Sequence, residues 1–214
     1  MPAETISRDD CPIVPSGEWP TPFVGRQVEL SQLRGLLADP GVRLVTLVGP
    51  GGIGKTRLAL ELAASQAGFE HGVVCLPLGA LAAPDEFLPA LAESLGLQLP
   101  LGSDLRRVVF DHLASRQVLL VLDNLEHLLE LALTVRELLD AAPKVKVLVT
   151  SREKLGLQGE VLIHLQGLSL PVHETLADLE NSDAVRLFVQ KARQARPAFV
   201  MDEGDLPAVA RLCR

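Results

Sequence analysis

The sequence of this 214-residue chain has no clustered cysteines: Cys11, Cys75 and Cys213 stand far apart, and no two form a CxxC pair. An odd, unspaced set argues against a disulfide framework and for free thiols in a reducing compartment. His71, His112, His127, His164 and His173 are equally scattered and give no HxxxH pair, so no metal cluster is expected. Long hydrophobic runs are missing too. Although 48% of the residues are hydrophobic, they come in short blocks, and the nearest approach to a span, residues 72–84, is too short and contains Pro77. Near Met1 no basic region joins an apolar core, so no secretory signal is read. These absences lead us to expect a soluble, cytoplasmic protein without membrane contact. A positive surplus is also absent. The net charge is −7, and the densest basic positions (Arg106, Arg107, and the group Lys191, Arg193 and Arg196) fall at helical spacing among apolar residues. They read as solvated helix faces, and direct nucleic-acid binding by this segment is not expected.

What is present is an alternation of strand-like and helix-like segments. Residues 1–22 carry Pro2, Pro12, Pro15, Pro20 and Pro22 without hydrophobic period, and read as a disordered arm. Leu30, Leu33, Leu36 and Leu37 form one helical stripe. Short Val- and Leu-rich runs at 44–48, 72–76, 118–122, 145–149 and 161–165 predict five buried parallel strands. Helices are predicted over 55–64, 85–95, from an N-cap at Ser103, and over 126–142. The fold class is therefore α/β, a five-stranded parallel sheet flanked by helices. Beyond residue 171 the pattern turns helical: Ser182 caps a stripe of Ala184, Val185, Phe188, Val189 and Ala192, and another helix starts near Asp205. The expected division is an arm (1–22), a nucleotide-binding domain (23–171) and the truncated beginning of a helical domain (172–214).

The chemistry concentrates in one octapeptide. Gly49-Pro50-Gly51-Gly52-Ile53-Gly54-Lys55-Thr56 fits GxxxxGK[ST] in full, after a predicted strand and before a predicted helix. The glycines let successive backbone N–H groups face one concavity, and the helix N-terminus adds partial positive charge. Lys55 supplies a full charge to the β- and γ-phosphates, and Thr56 offers a hydroxyl to Mg²⁺. The apolar run Leu119-Leu120-Val121-Leu122 then delivers Asp123 to a strand end, where it would hold the same ion. Asn124 follows it and cannot act as a base. Glu126 is near in sequence, but helical geometry is expected to point it elsewhere. Slow hydrolysis is the consequence. Thr150-Ser151-Arg152 closes the next strand, and a guanidinium there can sense a γ-phosphate.

Six blocks in one order then resemble a known family: Phe23-Val24-Gly25-Arg26, the octapeptide with Arg57, Leu120-Val121-Leu122-Asp123-Asn124-Leu125-Glu126-His127, Thr150-Ser151-Arg152-Glu153, Gly167-Leu168-Ser169-Leu170-Pro171, and Asp183-Ala184-Val185-Arg186-Leu187-Phe188. They are similar to the NB-ARC branch of the STAND signalling ATPases, in particular to bacterial regulators with a DNA-binding domain or tetratricopeptide repeats elsewhere in the chain. The resemblance implies a switch held closed by ADP and released by ATP for assembly, including homo-oligomerisation. It also implies that Val24 and Gly25 line the adenine, that Pro171 packs near the base, that Arg57 lies near the nucleotide, and that Arg152 is the γ-phosphate sensor. Asn124 departs from the eukaryotic relatives, which carry a second acidic residue there. The Gly-Leu-Pro-Leu segment expected after Leu212 is absent, so the chain reads as a fragment whose output domain lies outside it.

The expected site is therefore Lys55, Asp123 and Arg152 for catalysis; Val24, Gly25, Gly49, Gly51, Gly52, Ile53, Gly54, Lys55, Thr56, Arg57 and Pro171 for ATP or ADP; and Thr56 with Asp123 for Mg²⁺. Two other functions fit the P-loop alone: a catalytic enzyme such as a small-molecule kinase, and a nucleotide-dependent scaffold without turnover.

Overall fold

Five short apolar runs form one parallel sheet: β1 (Leu44–Val48), β2 (Val73–Pro77), β3 (Leu119–Asp123), β4 (Lys146–Ser151) and β5 (Glu160–His164). The computed structural model describes residues 22–65, 68–98, 102–171, 178 and 181–213. Except for Pro22, the expected N-terminal arm lies outside them, as do Cys11, His173 and Arg214. The strand order is β2-β3-β4-β1-β5, every pairing parallel. Such strands are buried on both faces, which is why β1 and β3 read as nearly continuous hydrophobic runs rather than alternating ones.

The described residues divide into two units, one of residues 28–165 and one of residues 22–27 with 166–213. In the first, α1 (Gln27–Ala38) buries Leu30, Leu33 and Leu37, the stripe read from the sequence. Helix α2 (Lys55–Ala64) buries Leu58, Ala59, Leu62 and Ala63 and packs on β2, β3 and β4. Helices α3 (Phe87–Ser94), α4 (Leu105–Leu113) and α5 (Leu131–Ala141) share a core with alternate strand residues, among them Leu120, Leu122, Val147 and Val149. The period-2 geometry of a strand sends those side chains to one face.

Two sequence expectations move and one holds. The N-cap of α4 is Asp104, not Ser103: its carboxylate accepts from the backbone N–H groups of Arg106 and Arg107. Ionised Asp at this position also complements the helix dipole. The helix expected over 126–142 begins at Leu131, because Asn124 adopts a left-handed conformation (φ 66°) and is followed by a 3₁₀ turn over Leu125–His127. Pro77 ends its strand, as the sequence suggests. It closes β2, level with Asp123, at an edge where a missing N–H is tolerated.

In the second unit, α6 (Asp183–Ala195) is capped by Ser182, whose hydroxyl accepts from the Val185 N–H. With α7 (Leu206–Cys213) it forms a small core of Val185 and Val209, joined by Phe188, Val189, Met201 and Cys213. The segment before it is latched to the helix start. Ser169 O accepts from Ser182 Oγ at 2.7 Å, and Ser169 Oγ accepts from Asp183 N at 2.9 Å.

Candidate nucleotide site

Parallel register brings the motif residues to one edge. Val48 pairs with Ser151 and Leu122 with Val149, so Gly49, Asp123 and Thr150 all stand at the carboxyl ends of adjacent strands. In open α/β sheets that edge is where ligands bind. Gly49 N–H reaches Ser151 O at 3.4 Å, tying the start of the P-loop to the end of β4.

The loop itself needs glycine at particular places. Gly52 (φ +76°) and Gly54 (φ +98°) lie in the left-handed region that other residues seldom adopt. At Gly49 a Cβ would come within 3.2 Å of Leu165 O and of the Ile53 side chain, so a larger residue would need its neighbours to shift. Lys55 opens α2 and is 8% exposed. Its ammonium folds back over the loop, donating to Gly49 O at 2.8 Å and Pro50 O at 3.1 Å. That arrangement keeps a full positive charge beside the N-terminus of α2, as an anion site requires.

The two sequence motifs meet through hydroxyls. Thr56 Oγ1 donates to Asp123 Oδ1 at 2.7 Å, and Thr150 Oγ1 donates to the same oxygen at 2.5 Å. Thr150 also accepts from Asn124 N–H at 2.9 Å, which fixes the peptide immediately after Asp123. A hydroxyl and a carboxylate in contact are the hard oxygen donors that suit Mg²⁺, which keeps waters and phosphate oxygens as its remaining ligands. No group of three or more His, Cys, Asp or Glu able to hold a metal occurs among the described residues, and a site of this kind needs none. The residues present fit the ion and a triphosphate or diphosphate.

Arg152 sits at the same edge. Its guanidinium passes over the P-loop, so that a Cβ on Gly51 would lie 3.5 Å from Nη2, and its Nε lies 3.0 Å from Glu126 Oε1. Glu126 is therefore turned toward the site, contrary to the sequence expectation. The 3₁₀ turn, rather than an α-helix, gives it that direction. Asn124 meets Gly79 instead, where a Cβ would come 3.2 Å from its Nδ2.

The structure thus brings together Gly49, Gly51, Gly52, Ile53, Gly54, Lys55, Thr56, Asp123 and Arg152 within the first unit. Arg57 lies one residue further along α2 and faces Glu61 at 3.8 Å. Val24, Gly25 and Pro171 belong to the second unit. There Gly25 (φ +68°) lies against Asp183, whose Cγ would be 2.5 Å from an added Cβ, and Pro171 is buried. Sequence reasoning missed Thr150 as an anchor of Asp123, and Glu126 as the partner of Arg152. A signal for Thr150 existed: a polar β-branched residue closing an apolar strand next to the Asp123 strand.

Comparison with known proteins agrees with this geometry. Residues 40–155 match the AAA domain family. An uncharacterized protein of Mycobacterium tuberculosis is 37% identical over 196 residues, covering 91% of this chain and 47% of the relative. A second M. tuberculosis protein, provisionally named an HTH-type transcriptional regulator, is 34% identical over 183 residues, covering 85% of this chain and 19% of the relative. This chain therefore spans about half, or about a fifth, of the lengths of these relatives. Among solved structures, Cdc6p from Pyrobaculum aerophilum is similar with a TM-score of 0.59 at 17% identity, over 85% of this chain and 52% of that one. A STAND protein with a tetratricopeptide repeat sensor from Pyrococcus horikoshii is similar with a TM-score of 0.54 at 20% identity, over 94% of this chain and 29% of that one. At these identities the likeness shows the fold.

Proposed function

This chain belongs to the AAA domain family of P-loop ATPases, and we propose that it is the nucleotide-binding module of a signal-transduction ATPase, switching between an ADP-held and an ATP-held conformation. The observation that carries nucleotide binding is the 2.7 Å contact between Thr56 and Asp123, which joins the P-loop to the second motif around one Mg²⁺ position. Lys55 would neutralise charge on the β- and γ-phosphates, and the loop N–H groups would donate hydrogen bonds to the phosphate oxygens. When bound, Mg²⁺ would be held by Thr56 and Asp123 and would neutralise part of the phosphate charge.

Switching rather than rapid turnover is supported by what surrounds that position. Asn124 follows Asp123 and offers no base, and the position of the Arg152 guanidinium over the P-loop supports the reading that it responds to a third phosphate. The six motif blocks support the NB-ARC-like branch of the STAND ATPases. In that reading Val24, Gly25 and Pro171 face the base, Arg57 lies near the nucleotide, and domains outside residues 1–214 carry the output. The similarity to a relative named for helix-turn-helix regulation supports transcriptional control as that output. ATP-dependent homo-oligomerisation and a cytoplasmic location complete the proposal; no helix among the described residues is long and apolar enough to cross a membrane.

The test is hydrogen exchange with Mg²⁺ and either ADP or a non-hydrolysable ATP analogue. A switch gives two different protection patterns around residues 145–152, because the analogue engages Arg152 and ADP does not. One shared pattern for both nucleotides contradicts it.

A further inference from the structure

Glu126 has no part in the phosphate and metal positions described above, yet it holds the one guanidinium that lies over the P-loop among the described side chains. Glu126 Oε1 is 3.0 Å from Arg152 Nε, with the glutamate side chain 15% exposed and the arginine 65%. The second carboxylate oxygen, Oε2, is buried and has no hydrogen-bond partner. The turn beneath is anchored on both sides: Leu125 is fully buried, and His127 Nε2 lies 3.2 Å from Leu81 O. The carboxylate is thus fixed, half-satisfied and dependent on Arg152, whereas the arginine is exposed.

We propose that Glu126 is a positioning residue that competes with the γ-phosphate for Arg152 and so sets how strongly the site prefers ATP over ADP. The proposal rests on the reading of Arg152 as the residue that meets a third phosphate. A guanidinium pairs with carboxylate and phosphate oxygens alike through its N–H donors, so drawing Arg152 onto a phosphate competes with its Nε contact to Glu126. ADP ends at the β-phosphate, and Arg152 stays with Glu126. ATP offers a more highly charged acceptor, and the guanidinium transfers to it. The transfer leaves a mostly buried carboxylate without its cation, with an oxygen that was already unpaired. That cost falls on the ATP state alone, and it lowers the apparent ATP affinity without touching ADP.

Removing the charge while keeping the shape removes the competitor. Glu126→Gln is expected to tighten binding of a non-hydrolysable ATP analogue by roughly two- to fivefold, the range of a partly exposed ion pair. ADP affinity is expected to stay within about twofold. The effect must vanish when Arg152 is absent, so the double variant Glu126→Gln/Arg152→Ala should bind the analogue as Arg152→Ala does. Calorimetric titration of the four proteins with Mg²⁺ and each nucleotide reads the whole cycle, and Glu126→Ala carries the same expectation should the glutamine variant misfold. An analogue affinity unchanged by Glu126→Gln, or shifted equally with ADP, or shifted also in the Arg152→Ala background, overturns the competition while leaving the sensor in place. An Arg152→Ala variant that loses affinity for both nucleotides equally overturns the sensor reading itself.

Discussion

Asp123 receives two hydroxyl hydrogen bonds on one oxygen, from Thr56 at 2.7 Å and from Thr150 at 2.5 Å, and Thr150 is the member of that trio to which the sequence motifs gave no role. The arrangement follows from register. Leu122 pairs with Val149, so the next residue on each strand meets the other at the sheet edge. Thr150 is buried, and its hydroxyl also satisfies the Asn124 N–H.

Thr150→Val keeps the β-branched shape and removes the hydroxyl. It should lower stability by about 1–3 kcal/mol, because the Asn124 N–H loses its acceptor. Mg²⁺-dependent ADP affinity should fall as well, since Asp123 loses an anchor, while binding measured in a chelator should change little. Denaturant melts and titrations with and without Mg²⁺ check both. An unchanged Mg²⁺ dependence would remove Thr150 from the site.

Turnover should be slow, well under the ~10 per second of a typical enzyme. Asn124 cannot accept a proton from water, and its amide lies against Gly79. A steady-state phosphate-release assay decides it. A rate at or above that figure, without any added partner, contradicts the switch.

Stability should also depend on pH through His112 on α4. Burial, reinforced by the nearby charges of Arg116 and His71, lowers its pKa from the ordinary value of 6.5, and its Nε2 is buried without a partner. The folded chain then holds its proton less tightly than the unfolded chain. Stability is fully present above about pH 6.5 and falls on acidification from there down to the lowered folded value, below which this residue adds no further loss. His112→Gln should flatten that part of the melting-temperature profile. A variant whose profile parallels the parent through the window rules the residue out as its source.

The second unit should open more readily than the sheet. Its described core rests on Val185 and Val209 with a few half-buried neighbours, and Val200 and Leu212 are exposed. Small cores and few buried apolar contacts mark the low-stability end of a structure. Amides of residues 183–213 should exchange faster than those of 119–123, and equal protection would contradict this.

How legible all this was depended on whether the information was local. The P-loop helix starts at Lys55 as read, because glycine conformations and the strand-to-helix context are encoded within one octapeptide. β1, β3 and β4 were legible because burial on both faces leaves a nearly unbroken apolar run, whereas β5, expected to be buried, is only half-buried at the sheet edge. Local signals also misled. Leu125 and Leu128 fit a helical period, yet the left-handed Asn124 starts a 3₁₀ turn, and that change of geometry swings Glu126 toward Arg152. The Glu126–Arg152 meeting was not readable, and for the Asp123–Thr150 meeting the polar end of an apolar strand was the one signal. They join residues from different strand ends, and only the register of β3 against β4 brings them together.

The most direct test of the account concerns Lys55, whose buried ammonium lies over the loop carbonyls of Gly49 and Pro50. With Mg²⁺ and ADP at about a hundred times its dissociation constant, the wild-type chain should gain about 2.7 kcal/mol, or roughly 5–10 °C in melting temperature. Lys55→Ala should lose most of that shift, because backbone amides cannot replace a full charge placed on two phosphates. A wild-type shift that survives intact in Lys55→Ala would contradict nucleotide binding at this P-loop.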